Sequence, residues 1–270
     1  MAPIREEFPR CTTYNLTVRR RQNTPTDAVS KQVGLARALS KLGYCSRAQA
    51  AEFIRAGRVR LNGVGRKNPE TPVRMGKDRI EVDGRLISAS AKTYLMLNKP
   101  RGVITTASDE KGRDTVYKLL GANSAWIAPV GRLDKASEGM LLFTNDSEWA
   151  ARVLAPETHL QKAYHVQIET MSDVALLEKL KSGIRTFNGD FLRVKRASVL
   201  RQGERNSWLE IVLDEGKNRH IRRTFEHLGI DLLRLVRVAI GPLALGDLPK
   251  GAYRALTEAE IISIDRAMSV

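Results

Sequence analysis

The chain has 270 residues, is 42% hydrophobic and carries 45 Lys and Arg against 30 Asp and Glu, a net charge of +15 with a pI near 10.1. That hydrophobic fraction excludes wholesale disorder, and no stretch approaches the roughly 20 apolar residues of a membrane-spanning helix. The positive excess must sit on the surface, where it attracts a polyanion, with nucleic acid the first candidate.

The only cysteines are Cys11 and Cys45, and there is no Cys-x-x-Cys pair. The four histidines, His159, His165, His220 and His227, form no His-x-x-x-His pair. No metal site is expected, and the chain reads as a reduced, cytoplasmic protein without structural disulfides. Met1 to Arg21 has no long apolar core of a secretory signal. Residues 1–32 are polar, with a basic cluster Arg19-Arg20-Arg21. They read as a flexible basic tail that either touches RNA or only solubilises.

From Gly34 the pattern sharpens. In "GLARALSKLGYCSRAQAAEFIRAGRVRLNG", Leu35, Leu39 and Leu42 stripe one short helix, and Ala50, Phe53 and Ile54 a second. Gly43 is placed to stop the first helix, Ser46 to cap the second and Gly57 to end it. "RVRLNG" alternates as a strand into an Asn62-Gly63 turn, and "RIEVDGRLI" reads as a hairpin around Asp83-Gly84. Between Gly34 and Ser88 stand 12 bases and 5 acids, a net +7. "SKLGYCSRAQAAEFIRAGRVRLNG" and the later "IEVDG" resemble the ribosomal-protein S-four-like RNA-binding domain, the alpha-L motif. Residues 33–88 are assigned to it. Arg37, Lys41, Arg47, Arg55, Arg58 and Arg60 are its candidate RNA contacts. A solvated basic face without a ligand is the alternative.

"SASAK", Ser88 to Lys92, is a small-residue linker. Beyond it, "TYLMLNKPRGVITT" reads as strand, Pro-Arg-Gly turn and strand, and "TVYKLLG" as a short helix. In "GRLDKASEGMLLFTND", Asp134 lies beside Arg132 and Lys135, ahead of the apolar run Met140–Phe143. Taken alone, that is a turn before a buried strand. "SEWAARVLAP" reads as a helix capped by Ser147, and "KAYHVQIET" as a strand. "SDVALLEKLKSG" reads as a helix capped by Ser172 and stopped by Gly183. "SWLEIVLDEG" is a strand running into the helix "KNRHIRRTFEHLG", and "DLLRLVRVAIGPL" supplies further strand. Strands outnumber helices without alternating with them. Residues 93–265 therefore form an α+β domain with a mixed, largely antiparallel sheet. At about 100° per residue, Ile221, Phe225 and Leu228 form one stripe of the helix. Arg222 then sits roughly 90° from the centre of that stripe and Arg223 points away.

"NKPRGVITT", "GRLD", "KAYHV", "EGKNRHIRR" and "LVRVAIGPLALGDLPKGAYRALTEAEI" together resemble the RsuA-like family of ribosomal RNA pseudouridine synthases. Members commonly pair an N-terminal S-four-like domain with the catalytic domain in this order. The resemblance implies isomerisation of uridine to pseudouridine in ribosomal RNA, with a leaning to the large subunit (23S) from the "RVAIGPLALGDLPKG" tail. The sugar–base bond breaks, the base rotates and a carbon is rejoined. No electron or phosphate is transferred, so no cofactor is expected. The step needs a carboxylate near the sugar–base bond, and the family motif places it at Asp134. By the same resemblance Arg222 pairs with Asp134 and Tyr164 stacks on the base, with Ile221 packing nearby. Arg132 fills the space that a flipped uridine vacates, a displacement that costs a few kcal/mol. Lys99, Arg101 and Arg223 are further candidate RNA contacts, Lys99 and Arg101 alternatively structural. Read as residues alone, Tyr164 and Ile221 are equally core positions, and Arg222 a phosphate contact or a solvated charge. His220 stands where Gln is frequent in relatives. The expected partner is ribosomal RNA or an assembling ribosomal particle, bound by a monomer without a membrane. A non-catalytic RNA-binding assembly protein that retains the fold is the alternative. A methyltransferase or helicase would need a Gly-rich cofactor or phosphate loop that the sequence lacks.

Overall fold

The computed structural model describes residues 32–106, 112–121, 126–186 and 189–269. The expected tail therefore falls outside the described residues, Gln32 apart.

The N-terminal part begins with β1 (Val33–Gly34), α1 (Leu35–Lys41) and α2 (Arg47–Arg55). Ser46 caps α2 as expected. Its hydroxyl accepts from Gln49 N while the Gln49 side chain accepts from Ser46 N, a complete capping box. Gly43 and Gly57 follow the two helices with φ of 74° each, the left-handed turn that stops a helix. The short strands β2 (Val59–Leu61), β3 (Val64–Arg66), β4 (Pro72–Val73), β5 (Ile80–Val82) and β6 (Arg85–Leu86) follow. Four of them pair in the order β3-β2-β5-β6, and β4 pairs with β1. Asn62-Gly63 and Asp83-Gly84 make the two hairpin turns, all four residues at positive φ. Leu35, Leu39, Ile54, Val59, Val73, Ile80 and Val82 form one buried cluster between helices and strands.

The larger part holds β7 (Tyr94–Lys99), β8 (Ala128–Val130), β9 (Glu138–Thr144), α3 (Ser147–Leu154) and β10 (Lys162–Ile168). After α4 (Val174–Ser182) come the small hairpin β11 (Ile184–Arg185) and β12 (Phe191–Leu192), then β13 (Arg196–Gln202) and β14 (Ser207–Leu213). The chain closes with α5 (His220–His227), β15 (Leu232–Ile240), β16 (Leu243–Ala244), β17 (Tyr253–Ala255) and α6 (Glu258–Ala267). The sheet runs β13-β14-β10-β15-β9-β7-β17, with β16 on β15 and β8 on β9. Among these pairings only β9–β15 is parallel. All seven residues of β9 are buried. Met140 and Leu142 enter the cluster under α3 and α6, while Leu141 and Phe143 enter the opposite one with Leu97 and Leu133. The two-residue period of a strand thus feeds two cores from one apolar run.

Several local expectations are corrected. The caps of α3 and α4 are Asp146 and Asp173, each one residue before or after the serine expected; their carboxylates accept backbone N–H groups of the first turn. "TVYKLLG" makes a single 3₁₀ turn, Val116–Leu119. The second strand of "NKPRGVITT" is reduced to one bridge, Ile104 to Thr115. The last helix of the chain, α6, was not anticipated, although Thr257 and Glu260 form a capping box at its start.

The parallel join depends on Gly139. Its φ is 100°, and a Cβ there would lie 2.3 Å from the carbonyl oxygen of Arg237 and 2.7 Å from its nitrogen. The obstructing atoms are backbone, so no rotamer change relieves the clash. Gly139→Ala is expected to cost roughly 3 kcal/mol or more and to lower the thermal midpoint by about 6–12 °C, read by calorimetry.

Candidate active site

The "GRLD" turn is positioned from its backbone outward. Leu133 is buried in the cluster under β7, which turns its neighbours Arg132 and Asp134 toward the surface. Thr105 clamps Leu133: its hydroxyl donates to Leu133 O at 2.8 Å and accepts from Leu133 N at 3.3 Å. Lys99 holds the other side. It is fully buried, and its ammonium donates to Pro100 O (3.0 Å), Asp134 O (3.2 Å) and Ser137 O (2.8 Å). Of the two readings left open for Lys99, RNA contact or structural, its burial fits only the structural one: no face of it is open to a phosphate. Burial pushes its pKa down to about 8, against the opposing pull of Asp134 and Glu138.

The carboxylate of Asp134 is half-buried and meets two guanidinium groups from the start of α5. Arg222 Nε lies 3.5 Å and Arg219 Nη1 3.9 Å from Asp134 Oδ2. Arg222 is anchored, with Nη2 donating to Ala136 O (3.0 Å) and Ser137 Oγ (3.2 Å). Burial lowers its pKa, the charge of Asp134 raises it, and the nearby charges of Arg219 and Arg101 lower it further. A charge pair at 3.5 Å is worth about 1 kcal/mol at the dielectric of water and about 5 kcal/mol at an effective dielectric of 20. A half-open site lies between these limits. The placement of Arg222 at the border of the buried helical face agrees with its helical angle.

Arg223 is a correction. It stays partly exposed but turns onto the β11–β12 hairpin instead of standing free, pairing with Asp190 and donating to Thr186 Oγ1 at 3.4 Å. Lys41 and Arg58 are likewise engaged. Lys41 pairs with Glu148 of α3 at 2.6 Å, and Arg58 pairs with Asp83 at 2.5 Å while lying 4.4 Å over the Phe53 ring. Arg37, Arg47, Arg55, Arg60, Arg101 and Arg132 are exposed.

The cavity beside Asp134 holds about 330 Å³. Tyr164 reaches it from β10, Ile221 from α5, Arg132 from the turn, and Lys162 and Arg237 from neighbouring strands. Ile221 also belongs to the buried cluster with Leu213 and Phe225, so its helical stripe and its cavity position are one fact. Burial and the adjacent charge of Arg237 both lower the pKa of Lys162. His220 is buried at the wall with Nδ1 3.6 Å from Glu215 Oε1; burial lowers its pKa despite that carboxylate. Arg219, Ser137 and Arg237 were not anticipated. Nothing in "LRLVRVAI" marked Arg237 as the buried cation of its strand.

A carboxylate between two guanidinium groups, beside an aromatic on a strand, in a cavity with room for a nucleobase, suits chemistry on one base of an RNA. Residues 93–227 match the family described as RNA pseudouridylate synthase, and residues 33–80 match the S4 domain. An RNA pseudouridine synthase of Rickettsia prowazekii is 38% identical over 225 residues, 83% of this chain and 94% of that one. The chain belongs to the RNA pseudouridine synthases. Ribosomal large subunit pseudouridine synthase B of Bacillus subtilis is 35% identical over 229 residues, 84% of this chain and 93% of that one. A crystal structure of a pseudouridylate synthase superposes with a TM-score of 0.61 at 27% identity, covering 86% of this chain and 99% of the other. The enzyme is thus an RNA isomerase with an S4 domain ahead of an α+β catalytic domain.

Two predictions follow from this geometry. Arg222→Met should lower the single-turnover rate roughly 100-fold, about 2.7 kcal/mol. That is below the 3–5 kcal/mol typical of breaking a fully buried pair, because the Asp134 side chain is 38% exposed and partly screened. Arg223→Met, which breaks only a surface tether, should lower it less than tenfold. Equal losses in both would dissolve the distinction between the two arginines. Lys99 supplies the pH dependence. Its pKa falls from 10.5 to about 8 on folding, so below pH 8 both states hold the proton and the burial cost is fully present. Between about pH 8 and 10.5 the unfolded chain binds more protons, so this group's contribution to stability rises with pH. The stability difference between the native enzyme and Lys99→Met, followed by urea unfolding, should widen over that window.

Proposed function

We propose that the enzyme converts a uridine of large-subunit ribosomal RNA to pseudouridine, with Asp134 as the acting carboxylate. The observation that carries the target is the likeness to ribosomal large subunit pseudouridine synthase B of Bacillus subtilis, which extends over 84% of this chain. The site supports the chemistry. Asp134 faces the cavity with its charge supported by Arg222, and Tyr164 and Ile221 offer apolar surface to a base. Arg132, exposed at the rim, is placed to occupy the stack that a flipped nucleotide leaves. In the reaction the bond between uracil N1 and ribose C1′ breaks and one between C5 and C1′ forms. A proton leaves C5 and one returns to N1, so the atoms balance within the nucleotide. Asp134 acts at C1′ or on the ring, and either route requires it ionised.

The basic faces of α1 and α2, with Arg37, Arg47, Arg55 and Arg60 exposed, hold the RNA backbone. Arg101 adds a cation near the catalytic cleft.

Pseudouridine mapping of ribosomal RNA from cells with and without the gene should show at least one large-subunit position lost and restored by the native gene. Asp134→Asn should fail to restore it while purified Asp134→Asn binds the same RNA within about threefold of the native Kd, because the change removes a charge but no volume. A modified small-subunit position instead would refute the target. Restoration by Asp134→Asn would refute the assigned carboxylate.

A further inference from the structure

Arg219 differs from every other cation at the cavity. It precedes the first turn of α5 at φ 49° and ψ 31°, a left-handed conformation uncommon for a residue other than Gly, Asn or Asp. Such conformations persist where the surrounding structure holds them, and they gather at functional sites. The side chain is 49% exposed and, among the described residues, its one partner is Asp134 Oδ2 at 3.9 Å. That separation is an ion pair without a hydrogen bond. Arg222, 15% exposed, is by contrast fixed through Ala136 and Ser137. Asp134 therefore has one fixed cation and one loosely held. Its carboxylate accepts no hydrogen bond from the described residues, so nothing else restrains it.

We infer that Arg219 is a transferable cation: it lies on Asp134 in the free enzyme and moves to a phosphate flanking the target uridine when RNA binds. The argument rests on reading Asp134 as the acting carboxylate. A carboxylate flanked by two guanidinium groups is a poorer nucleophile or base than one flanked by a single group, because each neighbouring cation stabilises its lone pairs. A nucleotide drawn into the cavity brings a phosphate on each side to its mouth, where Arg219 is exposed. A phosphate accepts paired hydrogen bonds from a guanidinium group, a stronger interaction than an ion pair at 3.9 Å. Leaving Asp134 for the phosphate costs Arg219 little, because no hydrogen bond is broken. Arg222 stays, so the carboxylate keeps one cationic partner as it is freed. Arg219 thereby acts as a positioning and binding residue, distinct from Arg222, and couples RNA capture to exposure of the reacting group.

The test is a cycle across enzyme and RNA. The RNA is a fragment carrying the uridine found by mapping, prepared with a phosphate or an uncharged methylphosphonate at the linkage 5′ or 3′ to it. The enzymes are native, Arg219→Asn and Arg219→Lys. Asn tolerates the left-handed backbone, so the substitution removes the cation without adding strain. Arg219→Asn should raise the half-saturating concentration for all-phosphate RNA about tenfold, as expected for one charge-assisted contact. The slope of log affinity against log salt should fall by roughly 0.7–0.9. A methylphosphonate at one of the two linkages should weaken the native enzyme by a similar factor and leave Arg219→Asn no weaker than before. Arg219→Lys should recover most of the affinity and of the salt slope. Losses that multiply at both linkages, or a loss confined to the saturating rate, would overturn the inference. Activity in Asp134→Asn would instead remove the reading on which it rests.

Discussion

The catalytic part of the chain is two antiparallel arrays joined at one parallel seam, and the site exists because of that seam. β9 leaves the turn that bears Asp134, and β15 follows the helix that bears Arg222 and is entered through Arg219. Their pairing is short: Glu138 faces Val236 and Gly139 faces Arg237. Two residue pairs of ladder are weak support for a contact on which the catalytic geometry depends. Side chains of β15 reach back to reinforce it. Arg237 Nε donates to Met140 O at 2.7 Å, and Arg234 holds the buried Glu138 through two bonds of 3.1 Å. Lys250 meets the same carboxylate at 2.5 Å. Burial alone would raise the pKa of Glu138; the two cations lower it overall and keep it charged. A buried ion cluster of this kind adds little net stability but penalises alternative registers, since a slip would bury Glu138 unpaired.

The second constraint is how the positive charge is divided. Composition counts every Lys and Arg alike, but the fold uses them in two ways. Lys99, Arg222, Arg223, Arg234 and Arg237 bind backbone carbonyls or carboxylates within the catalytic domain, and Arg254 pairs with Glu260 of α6. These cations shape the protein. Arg37, Arg47, Arg55, Arg60, Arg101, Arg132 and Arg219 are among the exposed cations, and exposed cations are the kind that can displace counterions from RNA.

What could be read from the sequence was what periodicity and turn chemistry encode. Ser46 with Gln49, the Asn62-Gly63 and Asp83-Gly84 turns, and the apolar run of β9 each have a local cause, and each was legible. The shifts from Ser147 to Asp146 and from Ser172 to Asp173 show where that legibility ends. Either residue can cap a helix, and the choice is made by how the first turn packs. α5 shows the same limit. Its apolar stripe was visible, but its start was set by the left-handed turn at Arg219, which no local signal marks in a residue that is not glycine. Lys99, left open between RNA contact and structural role, and Arg223 could not be placed for another reason. A basic residue in a polar segment reads as a surface charge, and only the tertiary fold supplies the three carbonyls around Lys99 or the hairpin that covers Arg223. Asp134, Tyr164 and Arg222 were singled out through the motifs that carry them, not through burial or periodicity, and the fold brings the three to one cavity.

The join between the S4 domain and the catalytic domain completes the arrangement. "SASAK" was expected to be a plain linker, yet it is held at several points. Ser90 N donates to Leu42 O at 2.9 Å. The buried side chain of Asn145 accepts from Thr93 N at 2.9 Å and donates to Ala91 O at 2.8 Å. Gly43 stops α1 and also admits Asn145, since a Cβ at Gly43 would come within 3.2 Å of its amide. The Lys41–Glu148 pair adds a surface contact worth about 0–1 kcal/mol; the buried amide, with both of its polar atoms satisfied, is the more demanding part. A clasped linker changes the binding problem. When two surfaces grip one RNA through a loose tether, the second contact must still be found within the tether's volume; when the tether is fixed, that search is restricted in advance. The exposed arginines of α1 and α2 and the cation pair at Asp134 are thereby carried on one clasped frame. The same rigidity that favours an RNA whose backbone spans that frame disfavours one that does not.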